Sequence, residues 1–183
     1  MTILPPPSPS QSRRLVLQAA LPGLLLAVIT LLFGFGLGIV FGLNEELITS
    51  RLSASAVAVQ ATVYQGDEAA MKPVLEKSWT YMQRAHLHAG ALGTSAVALT
   101  LLLVLLGTSP RVTGAASLAL GAGSLGYSVF WLWAGFRAPG MGGTGPAKES
   151  LKWLAMPSSG LVVLGTAAVA AACLLALARP RQH

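Results

Sequence analysis

This 183-residue chain is short of charge: Asp, Glu, Lys and Arg together make up 10% of it, where an average soluble domain carries about 25%. The shortage is concentrated. Leu15–Leu43, Ala85–Pro110, Val112–Phe136 and Trp153–Ala178 contain no charged residue at all. Cysteine is nearly absent too, since Cys173 stands alone inside the last of these stretches. One cysteine excludes an intramolecular disulfide, a CxxC redox motif and a cysteine zinc site. Basic residues outnumber acidic ones by 12 to 6, yet no basic run exceeds Arg13-Arg14, so the chain lacks the dense patch that nucleic-acid binding requires. His-Glu-x-x-His, Gly-x-Ser-x-Gly and paired carboxylates within a span are all missing, which argues against an enzyme of the common hydrolytic types.

What is present is apolar length. About 20 apolar residues span the ~30 Å hydrocarbon core as a helix, and each uncharged stretch reaches that length. The sequence therefore predicts an all-α integral membrane protein, a bundle of four transmembrane helices over 15–43, 85–107, 112–136 and 153–178. An extramembrane helical hairpin over 44–84 is expected between the first two spans, and a glycine-rich loop over 137–152 before the last. A disordered proline-rich tail (1–14) and a basic tail (179–183) flank a single membrane domain over 15–178. Ser12-Arg13-Arg14-Leu15 has the look of a twin-arginine signal, but the apolar run is too long and no small-x-small cleavage site follows. It reads better as a cationic anchor.

Four spans bring both termini to one side. Lys and Arg counted alone favour the opposite side, with Arg51, Lys72, Lys77, Arg84, Arg137, Lys148 and Lys152 against Arg13, Arg14, Arg111, Arg179 and Arg181. All six acids share the first set, however, leaving the terminal side purely basic. With the first span weighted most, the termini are expected in the cytoplasm and the chain in the plasma (inner) membrane.

Small residues indicate how the helices meet, because close backbone approach replaces the hydrophobic effect inside lipid. Gly34, Gly38 and Gly42 form a doubled GxxxG on the first span, and Ala85, Ala89 and Gly93 form a stripe on the second. The first stripe suits either a neighbour in the bundle or a homo-oligomer. In the hairpin, Asn44 is a candidate cap with Glu45 and Glu46 in the following turn. Pro73 suits the first turn of the next helix, and Pro146 the start of one running through Trp153 into the last span.

Two Gly-x-Gly-x-x-Gly matches, at Gly121 and Gly140, lack the strand-before-helix context of a dinucleotide site. The polar constellation that remains is Arg84-Ala85-His86-Leu87-His88, at the mouth of the second span. Ionisable residues at membrane depth are functional candidates, and Glu45, Glu46, Arg84, His86, His88 and Arg137 together form a candidate polar site on one face. His86 and His88 lie about 200° apart on a helix, so a regular helix does not aim both at one ligand. Met82 sits one turn before His86, and thioether with imidazole suits copper(I); haem is the other cofactor to weigh, through a dimer or a methionine ligand. No charge falls near the midplane, which disfavours a coupled transporter.

The sequence expectation is thus a small accessory or structural membrane subunit, partnered by the bilayer and by a homo-oligomer or a larger membrane complex. A copper- or haem-associated respiratory-type protein using Met82, His86 and His88 stands second. A small transporter or channel stands third.

Overall fold

The computed structural model describes residues 9–178. Its elements are all helical: α1 (Pro9–Leu43), α2 (Glu45–Val57), α3 (Gln60–Val63), α4 (Glu68–Leu105), α5 (Pro110–Arg137), a 3₁₀ turn (Pro139–Met141), α6 (Thr144–Glu149) and α7 (Lys152–Ala178). The helices α1, α4, α5 and α7 are each long and apolar enough to cross a membrane.

Several boundaries differ from the sequence expectation. Residues 9–14 are helical, because Ser10 to Arg14 contains neither proline nor glycine to stop α1 from starting early. Residues 1–8 and the basic tail 179–183 lie outside the described residues. Asn44 does not cap α2 with its side chain. Its N–H still donates to Val40 O at 2.9 Å, so it closes α1, and its φ of −152° and ψ of 51° lie outside the region a capping residue adopts. Asp67 is the effective start signal for α4: its carboxylate accepts from Ala69 N at 2.8 Å and Ala70 N at 3.2 Å. Pro73 consequently lies inside α4. The last loop makes two helices where one was expected, because Leu151 turns inward and is fully buried beside Tyr81, Phe130 and Ala134.

The α4–α5 connection is set by local chemistry. Gly107, at φ +65°, takes the left-handed position that ends a helix, with Gly107 N bonded to Val104 O and Thr108 N to Leu103 O. Ser109 then caps α5 through Val112 N, and Pro110 occupies its first turn, where a missing N–H costs nothing.

The four long helices do not form a square. Helix α5 is central, packing along α1, α4 and α7, while α1 also packs on α4 and α7 touches α4 only lightly. The helix with the least apolar sequence is the most buried: 44% of its most apolar window is covered, against 17% for α1 and for α7. Glycine and serine make that possible. A Cβ on Gly23 of α1 would lie 2.2 Å from the Ser117 carbonyl carbon, and one on Gly123 would lie 2.7 Å from Ser158 O of α7. Ser124 Oγ donates across to Leu92 O of α4 at 3.3 Å. Ala27, Ala96, Leu103, Ala116, Leu120 and Val169 fill the core between these contacts.

The α2–α3 hairpin folds over one end of the bundle. Ile48 and Leu52 pack with Met82, and Ala56 and Tyr64 with Met71. The hairpin also reaches the loop after α5: Tyr64 Oη donates to Pro139 O at 2.6 Å in a buried bond. Gly142 faces Val63, where a Cβ would come within 2.5 Å of a Val63 methyl.

Candidate functional site

The capped end holds the residues singled out from the sequence, and it distributes them among separate neighbours. Helix α4 is regular here, so His86 and His88 diverge. His86 points to α1, where its Nδ1 donates to Gly34 O at 2.8 Å. A carbonyl oxygen only accepts, so the proton sits on Nδ1. Gly38 makes room for the ring: a Cβ there would lie 2.8 Å from His86 Cε1. His88 points toward α5. Its Nδ1 donates to Arg84 O at 2.7 Å, and its ring stacks on Trp131 at 5.7 Å and meets Tyr127 edge-on at 5.3 Å.

Arg84 adds a cation to the same aromatic group. Its guanidinium lies 5.1 Å from the Trp131 ring and 5.4 Å from the Tyr81 ring, where the negative ring faces attract it. Lys148, from α6, lies 5.9 Å from the Tyr81 ring. Tyr81 and Trp131 meet edge-to-face at 4.8 Å. The Trp131 Nε1 is buried with no hydrogen-bond partner.

Met82 is completely buried, between Gly135 of α5 and the Ile48–Leu52 side of the hairpin. It is committed to packing, while His86 lies against Gly34 and Gly38 of α1 and His88 against α5. No group of three or more His, Cys, Asp or Glu side chains able to hold a metal ion occurs among the described residues. A site on Met82, His86 and His88 therefore has no structural support. Glu45 and Glu46 are exposed in the first turn of α2, where the helix dipole favours acids. Arg137 is half-buried in the last turn of α5. Among the described residues the one ion pair joins Lys152 and Glu149, so the acids of α2 and the arginines of α4 and α5 are not brought into an ionic network.

The packing residues divide similarly. Gly34 lies against Ala89, a Cβ there falling 2.9 Å from the Ala89 methyl, and Gly93 lies against Leu31. Ala89 is fully buried. Gly42 faces open space. The GxxxG stripe thus serves the α1–α4 contact over its first two glycines only.

Sequence reasoning missed two features of this end. Tyr127 and Trp131 lie one turn apart on α5 and flank His88; that spacing was the available signal. The Tyr64–Pro139 bond joins residues 75 apart and has no local signal. Burial raises the Tyr64 pKa above its ordinary 10.0, because desolvation disfavours the phenolate.

Set against family models, curated proteins and solved structures, the chain matches none.

Proposed function

We propose that the chain is an integral membrane protein working as an accessory or structural subunit, through helix contacts along α1 and α7 and through its capped polar end. The supporting observation is how the polar residues at that end are used. Each of His86, His88, Tyr64 and Asp67 makes a structural hydrogen bond, and among the described residues no group of three or more His, Cys, Asp or Glu side chains converges on one point.

The outward faces fit the same reading. Leu25, Leu32, Phe35 and Ile39 of α1 and Val163, Leu164, Leu174 and Leu175 of α7 are all exposed, surfaces suited to lipid or to another apolar helix. Arg13 and Arg14 border Val104 and Leu105 at the end opposite the cap. That arrangement suits a basic cytoplasmic end in the plasma membrane, with the cap outside.

Purification of the full chain in mild detergent, with native mass determination after alkaline carbonate extraction, tests the proposal. The expected result is a carbonate-resistant, colourless protein in a complex of fixed stoichiometry, either with its own copies or with a second membrane protein. Release by carbonate would overturn membrane insertion. A monodisperse single chain that carries a chromophore or turns over a substrate would overturn the accessory role.

A further inference from the structure

We propose that the crevice between α1 and α4 at His86 binds a lipid-soluble aromatic hydroxyl compound, of the phenol or quinol class, whose O–H donates to His86 Nε2. The proposal rests on the reading of α1 and α4 as membrane spans and adds a ligand to the polar end.

The first element of the argument is the tautomer. Because Nδ1 donates to Gly34 O, the neutral ring carries its lone pair on Nε2, which makes no hydrogen bond among the described residues. That atom is an acceptor held in a fixed direction, since the Gly34 bond fixes the ring. Gly38 lets the ring lie directly against α1. A Cβ at residue 38 would lie 2.8 Å from His86 Cε1, 3.2 Å from Nδ1 and 3.6 Å from Nε2, so any side chain there would displace the ring and with it the direction of the acceptor.

The second element is the cavity itself, which measures 410 Å³ and is lined by Gly38, Phe41, Trp79, Gln83, His86 and Leu87. Pockets for small molecules typically fall between about 300 and 1,000 Å³, with largely apolar walls and a few placed polar groups. Phe41 meets Trp79 edge-to-face at 5.1 Å and faces His86 at 6.3 Å, giving walls that suit a flat ring. Leu87, 64% exposed, and Gln83, also exposed, border its open side, so the crevice opens outward between the two helices. A ligand would enter from the bilayer. Water or a charged molecule would not approach from that direction, whereas an apolar molecule with one O–H donor satisfies both the walls and the acceptor.

The test compares 4-nonylphenol with its methyl ether, 4-nonylanisole, which has the same body and no donor. Each is titrated calorimetrically into the purified full-length chain in mild detergent, with partition into empty micelles subtracted. The wild type should bind the phenol saturably and about tenfold more tightly than the ether, the scale of one hydrogen bond near the upper end of its net worth. His86→Leu should bring the phenol down to the ether's affinity. Equal affinities in the wild type would overturn the proposal and leave a groove for lipid chains. So would absent saturation, or a preference for the phenol that survives His86→Leu. The wild-type comparison stands even if the variant fails to fold. Loss of membrane retention on carbonate extraction would separately mark failure of the underlying membrane reading.

Discussion

Replacing Gly121 with alanine should destabilise the protein, while the same change at Gly36 should not. Gly121 of α5 faces Gly23 of α1, and a Cβ there would lie 2.4 Å from Gly23 O, 2.9 Å from Leu26 Cβ and 3.2 Å from the Gly23 carbonyl carbon. Ordinary contact for such atoms begins at 3.4 Å, so the shortest approach is too close by about 1 Å. The obstacle is backbone, which has no rotamer to escape into. The helices must therefore separate, and a gap of 0.5–1 Å already forfeits a quarter to a half of the dispersion well for each pair along the seam. Overpacking of this kind typically costs about 1–3 kcal/mol, and the upper half of that range is expected. Gly36 has nothing within 4 Å of a Cβ, so alanine there gains helix propensity without a clash. Reversible unfolding in mixed micelles, followed by far-UV dichroism, measures the difference. The double change Gly23→Ala with Gly121→Ala should cost less than the sum of the single changes, because one separation relieves both clashes. Equal stability of the Gly36 and Gly121 variants would refute the assignment of α5 as the tightly packed centre.

Two further outcomes follow from the cap. Removing the Asp67 side chain (Asp67→Ala) should lower stability by about 0.5–2 kcal/mol, as loss of a cap does, whereas Asn44→Ala should have little effect, since Asn44 makes no side-chain cap bond; the same unfolding assay reads both. Tyr64→Phe should speed amide hydrogen exchange in 45–63, because Pro139 O loses its buried donor, with a cost of about 1–3 kcal/mol for the unsatisfied acceptor. The tyrosine also sets a pH dependence. Its folded pKa is raised above 10.0, so above that pH the unfolded chain loses a proton that the folded chain retains, and stability falls as pH rises from 10.0 toward the folded value. The contribution is complete below pH 10.0, and Tyr64→Phe should remove this part of the alkaline loss. An unchanged alkaline profile in the variant would show that Tyr64 does not contribute to it.

The long helices were legible in the sequence because one quantity, the absence of charge over some twenty residues, is both local and sufficient. Their ends were less so. Asn44 and Pro73 carry plausible start signals, and each lost to a neighbour that makes the better bonds: Asn44 N–H completes α1, and the Asp67 carboxylate starts α4 one turn earlier. Such contests turn on distances of a few tenths of an ångström, which residue type does not encode. The candidate site was legible as a location and not as an arrangement. That His86 and His88 diverge followed from helical geometry, but which partner each meets depends on where α1 and α5 lie.

The order of the helices is the less obvious lesson. Hydropathy ranks α5 as the weakest of the four helices long and apolar enough to cross a membrane, and a reading by hydropathy alone would place it at an edge or demote it. Inside lipid the relation runs the other way. A helix exposed to hydrocarbon needs large apolar side chains on most faces, as α1 and α7 have, while a helix enclosed by three others needs small ones, and Gly, Ser and Ala score as less apolar because they are small or carry a hydroxyl. The serines of α5 cost little, since Ser117 and Ser128 bond to carbonyls of their own helix and Ser124 bonds to α4. The glycine repeat at Gly121, Gly123 and Gly126, which by itself resembles a phosphate loop, is accounted for by the same requirement: it is where α1 and α7 approach α5 from two sides. The composition that lowers the apparent membrane propensity of α5 is therefore the composition that puts it at the centre.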